Sequence, residues 1–361
     1  MGLRRRYGLE FSEFADLPVI DCHAHFKRGV KSLEELVSEG ETLIEVIRRG
    51  RLRQIYITGE YAGLYLKVKY PGLFYAGGRV PAPYVDGIGR NPVKDWDRYM
   101  DELIEVGFDG IGELVSKPAE RSRRIPLNSQ YYEGFWDKCE SAGYAVLCHV
   151  ADPEEFWDER LIPEWAREKG WGYYHGDFPS KEELYAEMHQ ILDEHPRLKI
   201  VLCHFYFISA DLEKAEGFLN QYKNANLDLA LGVELMYNIS RRRDDWRSFF
   251  IKHQDRILFG TDIGVSQTLQ EHLDRVWLLR NFLESDEEFY TPETADPLLT
   301  RYREPYVGLN LPRHVLWKIY AGNFMRLWGE KPRDVDLEMA IAKCEERGER
   351  FIAEALRGLT G

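Results

Sequence analysis

Five stretches of this 361-residue sequence end on side chains that bind cations or move protons. The first is Val19-Ile20-Asp21-Cys22-His23-Ala24-His25. Side chains at i and i+2 of an extended strand point the same way, so His23 and His25 converge on one point, a spacing that suits a divalent ion. Further on, Gly110-Ile111-Gly112-Glu113, Val146-Leu147-Cys148-His149, Val201-Leu202-Cys203-His204 and Leu258-Phe259-Gly260-Thr261-Asp262 each end on an imidazole or a carboxylate. A lone histidine at a strand end is ordinarily a hydrogen-bonded core or surface residue, and a lone Asp in a Gly-Thr-Asp turn a helix cap. Four histidines and an aspartate in this pattern are read together as a metal site. The chemistry such a site supports is metal-assisted hydrolysis, in which the ion acidifies water and polarises a carbonyl while a carboxylate moves the proton.

Three of the histidines follow a cysteine: Cys22-His23, Cys148-His149 and Cys203-His204. Neighbours in a strand face opposite ways, so the sulfurs are expected between strands and helices as small apolar groups, away from the imidazoles. Glu113 has two readings, a carboxylate touching metal or an acceptor for the N–H of a ligating imidazole. Lys117 reads as a loop lysine. His189, His195, His253, His272 and His314 fall on or beside helical segments and are expected to be solvated or capping. His175, in Trp171-Gly172-Tyr173-Tyr174-His175-Gly176-Asp177, belongs to a stretch able to cover a site with aromatic walls; it either packs or contacts substrate. Arg79 either clamps a substrate carboxylate or forms a salt bridge. Gly110-Ile111-Gly112 is no dinucleotide fingerprint, because position 115 is Val.

These residues need a scaffold that gathers the ends of distant segments. Strand-like runs recur at Pro18 to Cys22, Gln54 to Thr58, Leu73 to Val80, Gly110 to Leu114, Tyr144 to His149, Leu198 to His204, Leu227 to Leu231 and Arg256 to Phe259. Between them, Ser32-x-x-Glu35, Ser180-x-x-Glu183 and Thr268-x-x-Glu271 read as capping boxes that open amphipathic helices. The segments from Asp95 to Val106 and from Ser129 to Ala142 stop at Gly107 and Gly143. Eight such units predict an α/β fold of the (β/α)8 barrel type, whose active site lies at the C-terminal ends of the strands. The barrel is expected over residues 18–330, after an N-terminal extension over 1–17. An insertion rich in Trp and Tyr follows the fifth strand, and 331–361 read as a C-terminal helical appendage of the same domain.

The composition, 44% hydrophobic and 30% charged, excludes collagen-like repeats and disorder. Forty-eight Lys and Arg against 61 Asp and Glu leave a net charge of −13. That field repels phosphate backbones, so a small-molecule substrate is expected and nucleic acid is not. No apolar run reaches the roughly 18 residues of a membrane span. Glu10, Glu13 and Asp16 fall where a signal peptide needs an apolar segment. Five cysteines without a CxxC pair argue against a disulfide framework and for a reducing, cytoplasmic setting.

From Ile20-Asp21-Cys22-His23-Ala24-His25-Phe26 through Arg256-Ile257-Leu258-Phe259-Gly260-Thr261-Asp262 to Tyr320-Ala321-Gly322-Asn323, the chain resembles the amidohydrolase superfamily, in its amidohydrolase-related group of hydrolases and non-oxidative decarboxylases. The resemblance implies a distorted (β/α)8 barrel in which His23 and His25 bind a divalent metal, usually zinc. It makes Asp262 a ligand and proton-transfer group, His149 a ligand, and His204 a ligand or the holder of the attacking water. Glu113 resembles the carboxylate that bridges two ions in some members, so one ion or two are implied. The leading expectation is a hydrolase of an ester, lactone or amide-like bond. The alternative is a decarboxylase of an unsaturated or aromatic acid, with Arg79 holding the substrate. A barrel that binds metal without turnover, and a binuclear nuclease, are further readings; the latter conflicts with the net charge. By analogy with related barrels, a homodimer is expected.

Overall fold

Side-chain caps set many of the helix boundaries in this chain. The computed structural model describes residues 14–26, 30–59, 61–81, 92–232, 234–264, 267–301 and 303–359; most of the expected N-terminal extension lies outside them. Eight strands alternate with eight principal helices: β1 (Ile20–Ala24), α1 (Leu33–Gly50), β2 (Gln54–Ile57), α2 (Ala62–Lys69), β3 (Phe74–Gly78), α3 (Trp96–Val106), β4 (Gly110–Ser116), α4 (Glu133–Ala142), β5 (Ala145–Val150), α5 (Lys181–Glu194), β6 (Ile200–Leu202), α6 (Leu212–Gln221), β7 (Ala225–Asp228), α7 (Arg243–Lys252), β8 (Ile257–Leu258) and α8 (Leu269–Glu284). Asp95 caps α3 through the Arg98 N–H, and Gly107 ends it in the left-handed region. Ser180 and Thr268 form complete capping boxes with Glu183 and Glu271. At α1 the expected box is half made: Ser32 accepts from the Glu35 N–H, but the Glu35 carboxylate takes the Lys31 N–H. Caps of this kind are each worth about 1 kcal/mol.

All eight strands are parallel and pair in chain order. The ring closes between the last strand and the first, where the Cys22 N–H donates to the Phe259 carbonyl and the His25 N–H to that of Ile263. The fold is thus the expected (β/α)8 barrel. Its interior is filled by Ile20, Cys22, Tyr56, Tyr75, Leu147, Val201, Cys203 and Leu258, packed on Phe324, Leu327 and Trp328 of the helix Asn323–Trp328. A larger apolar layer separates strands from helices. Residues 151–180 carry a small core of their own around Phe156, Ile162, Trp165 and Tyr173, where the aromatic insertion was expected. Beyond the barrel, α9 (Leu337–Arg347) and α10 (Arg350–Gly358) pack on α1, α2 and α3. No helix among the described residues is long and apolar enough to cross a membrane.

Two of the three cysteines depart from the expected alternation. Cys148 packs in the strand–helix layer as anticipated, but Cys22 and Cys203 face the barrel interior. At β1 the register shifts between Asp21 and Ala24, and at β6 the strand stops at Leu202, because His204 to Phe207 all have positive φ. A period of two holds only while the backbone stays extended. β7 likewise begins at Ala225 and ends at Asp228, ahead of the expected Leu227 to Leu231.

Candidate metal centre

At the C-terminal ends of the strands, His23, His25, Glu113, His149, His204 and Asp262 come together. His25 Nε2 lies 3.2 Å from Asp262 Oδ1 and 3.6 Å from Glu113 Oε2. His23 Nε2 lies 3.7 Å from Asp262 Oδ1 and 3.8 Å from Glu113 Oε1. Glu113 Oε1 also meets His149 Nδ1 at 2.8 Å, and the His149 and His204 rings are 4.7 Å apart. Glu113 therefore touches both halves of the cluster, the β1 pair and the β5 imidazole. His23 is fully buried, whereas the Asp262 side chain is 23% exposed and faces the opening.

Outer partners orient three of the four rings through Nδ1. His23 Nδ1 donates to Asp228 Oδ2 at 2.8 Å, His25 Nδ1 meets Thr58 Oγ1 at 2.8 Å, and His204 Nδ1 donates to the Ala230 carbonyl at 3.2 Å. With those nitrogens engaged, the Nε2 atoms of all three rings are left facing the cluster. Asp228 Oδ1 meanwhile accepts the backbone N–H groups of His204 at 2.7 Å and Ala230 at 3.0 Å, so one carboxylate on β7 aims histidines from β1 and β6. Asp21 ties β1 to the β8 exit by accepting from the Thr261 N–H and hydroxyl. Arg275 is buried on α8; it donates to Asp296 at 2.8 Å and to the Thr261 carbonyl at 2.9 Å, and its Nη1 stands 3.7 Å from Asp262 Oδ2. Asp262 thus presents Oδ1 to the imidazoles and Oδ2 to a cation.

The charges follow from this packing. Burial opposes charge on His23, but Asp228, with Glu113 and Asp262 beyond it, outweighs burial and pushes the imidazole up to about 10. Burial likewise opposes charge on His149, and Asp152 and Glu113 overcome it, to about 9. Glu113 and Asp262 pay the same burial penalty, yet the neighbouring imidazoles hold both carboxyls well below the ordinary range, with Arg275 adding to the pull on Asp262. His204 goes the other way: burial and then the neighbouring His149 bring it down to about 4, so its ring is neutral at pH 7.

The local backbone is unusual where these side chains are aimed. His204, Phe205, Tyr206 and Phe207 have φ of 55°, 56°, 55° and 51°. Left-handed non-glycine residues cost about 1–2 kcal/mol each, so this turn needs roughly 4–8 kcal/mol of compensating contacts. Asp262 is also left-handed, at φ 56°, and its N–H donates to the His23 carbonyl at 2.8 Å. Two glycines are required beside the ligands. A Cβ on Gly112, whose φ is 140°, would lie 2.7 Å from Leu147 Cβ, and one on Gly264 would collide with the His25 carbonyl oxygen.

Other sequence candidates make different contacts. Arg79 is exposed just past β3, with its carbonyl accepting from the Tyr99 hydroxyl, and His175 is exposed against the Tyr174 ring. The insertion reaches the site through Tyr173 instead, whose hydroxyl donates at 2.8 Å to Asp152, itself 3.7 Å from His149 Nε2. Lys117 sits at a helix start over the Trp171 ring. His272 is neither solvated nor capping: it is fully buried on α8, with neither ring nitrogen hydrogen-bonded, because its face of the helix points inward. Asp228, Thr58, Arg275 and Asp152 escaped sequence reasoning. A signal existed for Asp228, since an aspartate ending the strand Ala225-Asn226-Leu227-Asp228 is buried at a cost unless something bonds it.

The donor set fits a cation. His23 Nε2 is buried without a hydrogen-bond partner, and ligand atoms of His23, His25 and Glu113 lie within 4.8 Å of one another, as do those of Glu113, His149 and His204. His23, Cys203 and Asp228 also meet that distance, but Asp228 is engaged by His23 Nδ1 and the His204 N–H, and burial keeps the Cys203 thiol protonated.

The family described as Amidohydrolase matches residues 75–329. No curated protein matches the chain. Among solved structures, similar folds are found in a Staphylococcus aureus protein described as an amidohydrolase (14% identity, 87% of this chain and 100% of that one, TM-score 0.52) and in the apo form of IDCase from Metarhizium anisopliae (12%, 88% and 98%, 0.51). A third is 2,6-dihydroxybenzoate decarboxylase from Rhizobium (13%, 86% and 98%, 0.50). At these identities the likeness concerns the fold alone. The family match spans most of the chain, and the protein belongs to the amidohydrolase family.

Proposed function

We propose that the protein is a metal-dependent hydrolase that uses water against an ester, lactone or amide-like bond of a small molecule. The observation that carries this reading is the gathering of ligand-type side chains in two sets that share Glu113, one with His23 and His25 and one with His149 and His204, with Asp262 beside His25 and the inner nitrogen of His23 buried and unpartnered. His23, His25, His149 and Asp262 would hold one divalent ion, with His204 as a further ligand or the residue that holds the attacking water. Imidazole and carboxylate donors suit zinc. Glu113, in contact with both halves of the cluster, would be a shared ligand if two ions were bound. When bound, such an ion supplies Lewis acidity and acidifies water at neutral pH.

The remaining work falls to the chain itself. Asp262, ionised and partly open to solvent, takes the proton of the attacking water and returns it to the leaving group, while Arg275 holds its outer oxygen. His204, neutral and fixed through Nδ1, offers Nε2 as an acceptor that orients water. Tyr173 and the aromatic insertion wall the side next to His149. Decarboxylation of an acid is the competing reading, but Arg79, the residue read as its clamp, is exposed.

The test pairs metal analysis with turnover. Protein reconstituted with zinc should hydrolyse members of an ester, lactone and amide panel and lose that activity on chelation. Carbon dioxide release from aromatic or unsaturated acids, with no hydrolysis of any panel member, would replace this reading with the decarboxylase.

A further inference from the structure

The left-handed turn that carries His204 is secured from outside the ligand cluster. Lys181 and Tyr185, one helical turn apart at the start of α5, are 3% and 4% exposed. The Lys181 ammonium donates to the Phe207 carbonyl at 3.0 Å, and the Tyr185 hydroxyl donates to the Tyr206 carbonyl at 2.8 Å. The Tyr185 ring also packs on that of Tyr206 at 4.5 Å. A lysine is almost never fully buried unless its charge is used. Here it is used on a carbonyl that the end of β6 leaves without a ladder partner, in a run of four positive-φ residues that lack the glycine such a conformation favours.

We propose that Lys181 and Tyr185 are positioning residues that hold this turn from its far end and thereby aim the His204 imidazole into the cluster. The inference rests on His204 belonging to the reactive site. Asp228 fixes the near end of the turn through the His204 N–H, and the two α5 donors fix the carbonyls that follow. Without them the turn relaxes toward ordinary backbone angles, and the His204 Nδ1–H loses its alignment with the Ala230 carbonyl.

The test uses Lys181→Met, Tyr185→Phe and the conservative Lys181→Arg in the full chain, with histidine nitrogens isotopically labelled. The downfield Nδ1–H resonance of His204, identified by its loss in His204→Ala, should move or broaden in Lys181→Met and Tyr185→Phe, and return toward its wild-type position in Lys181→Arg. Titrated with Co2+ alone, the first two variants should bind roughly 10–100-fold more weakly than wild type, as expected when outer support of a ligand is removed. Variants that melt at lower temperature yet keep the wild-type resonance make the two residues merely structural and overturn the inference. A wild-type chain that takes up no Co2+ refutes the metal centre instead, and the resonance alone then decides whether these residues aim His204.

Discussion

Asp228→Asn separates ring orientation from fold stability. Its shape is unchanged, and Oδ1 can still accept the His204 and Ala230 N–H groups at 2.7 and 3.0 Å. The other arm then presents an amide N–H2 to His23 Nδ1, where a carboxylate oxygen now accepts at 2.8 Å. Flipping the amide would strand two buried backbone donors at about 1–3 kcal/mol each. The imidazole changes tautomer instead and carries its proton on Nε2, the nitrogen that faces Glu113 and Asp262. Metal affinity should fall roughly 10–100-fold, or about 1.4–2.8 kcal/mol, with little change in unfolding free energy. Asp228→Ala, which removes the acceptor altogether, should lose affinity and also roughly 2–6 kcal/mol of stability. The assay is competition for Zn2+ against a chromophoric chelator, run beside urea denaturation. An Asn variant that binds Zn2+ within twofold of wild type would refute the reasoning.

Three other perturbations have defined outcomes. Burial, with Glu155 and Asp152 nearby and against the pull of its own backbone N–H and of Lys181, pushes the Glu234 carboxyl from its ordinary 4.5 up to about 8. Between those values the folded protein keeps a proton that the unfolded chain releases, so stability falls as pH rises, by up to about 1.4 kcal/mol per unit. Glu234→Gln should flatten that slope in denaturation series at pH 5 and pH 8; parallel slopes would count against it. Asp262→Asn should cut hydrolysis roughly 10²–10⁴-fold with metal content measured in parallel, and near-full turnover with metal bound would remove Asp262 from proton transfer. Gly264→Ala should destabilise by more than the roughly 1 kcal/mol of an ordinary substitution, because its Cβ meets the His25 carbonyl; an unchanged denaturation midpoint would show that the β8 exit is free to move.

The parts of this molecule that were legible in the sequence are those decided by local rules. Strand positions, the caps at Asp95, Ser180 and Thr268, and the stops at Gly107 and Gly143 depend on neighbours a few residues away. The ligand-type residues were legible because a strand end in a barrel points to one common face. What escaped depends on contacts distant in the chain. The turn at His204 is held by Asp228, 24 residues on, and by Lys181 and Tyr185, which lie 26 and 21 residues before the carbonyls they bond, none of which marks positions 204–207 as left-handed. Cys22 and Cys203 faced an unexpected direction for the same reason: a bulge and a turn break the alternation that a one-dimensional pattern assumes. In the insertion, His175 drew notice by its residue type, whereas Tyr173 is the residue that reaches the site.

Closure of the ring through Phe259 and Ile263 has a bearing on biosynthesis. Half of the donor groups, His23 and His25 near the start and Asp262 late in the chain, meet only across that last seam. A polypeptide emerging from the ribosome therefore owns two imidazoles with no carboxylate from β8 to face them until nearly three quarters of its length has been made. On the proposed metal reading, cation capture is a late event, and fragments truncated before residue 262 should be unable to retain the ion however well their early strands have formed.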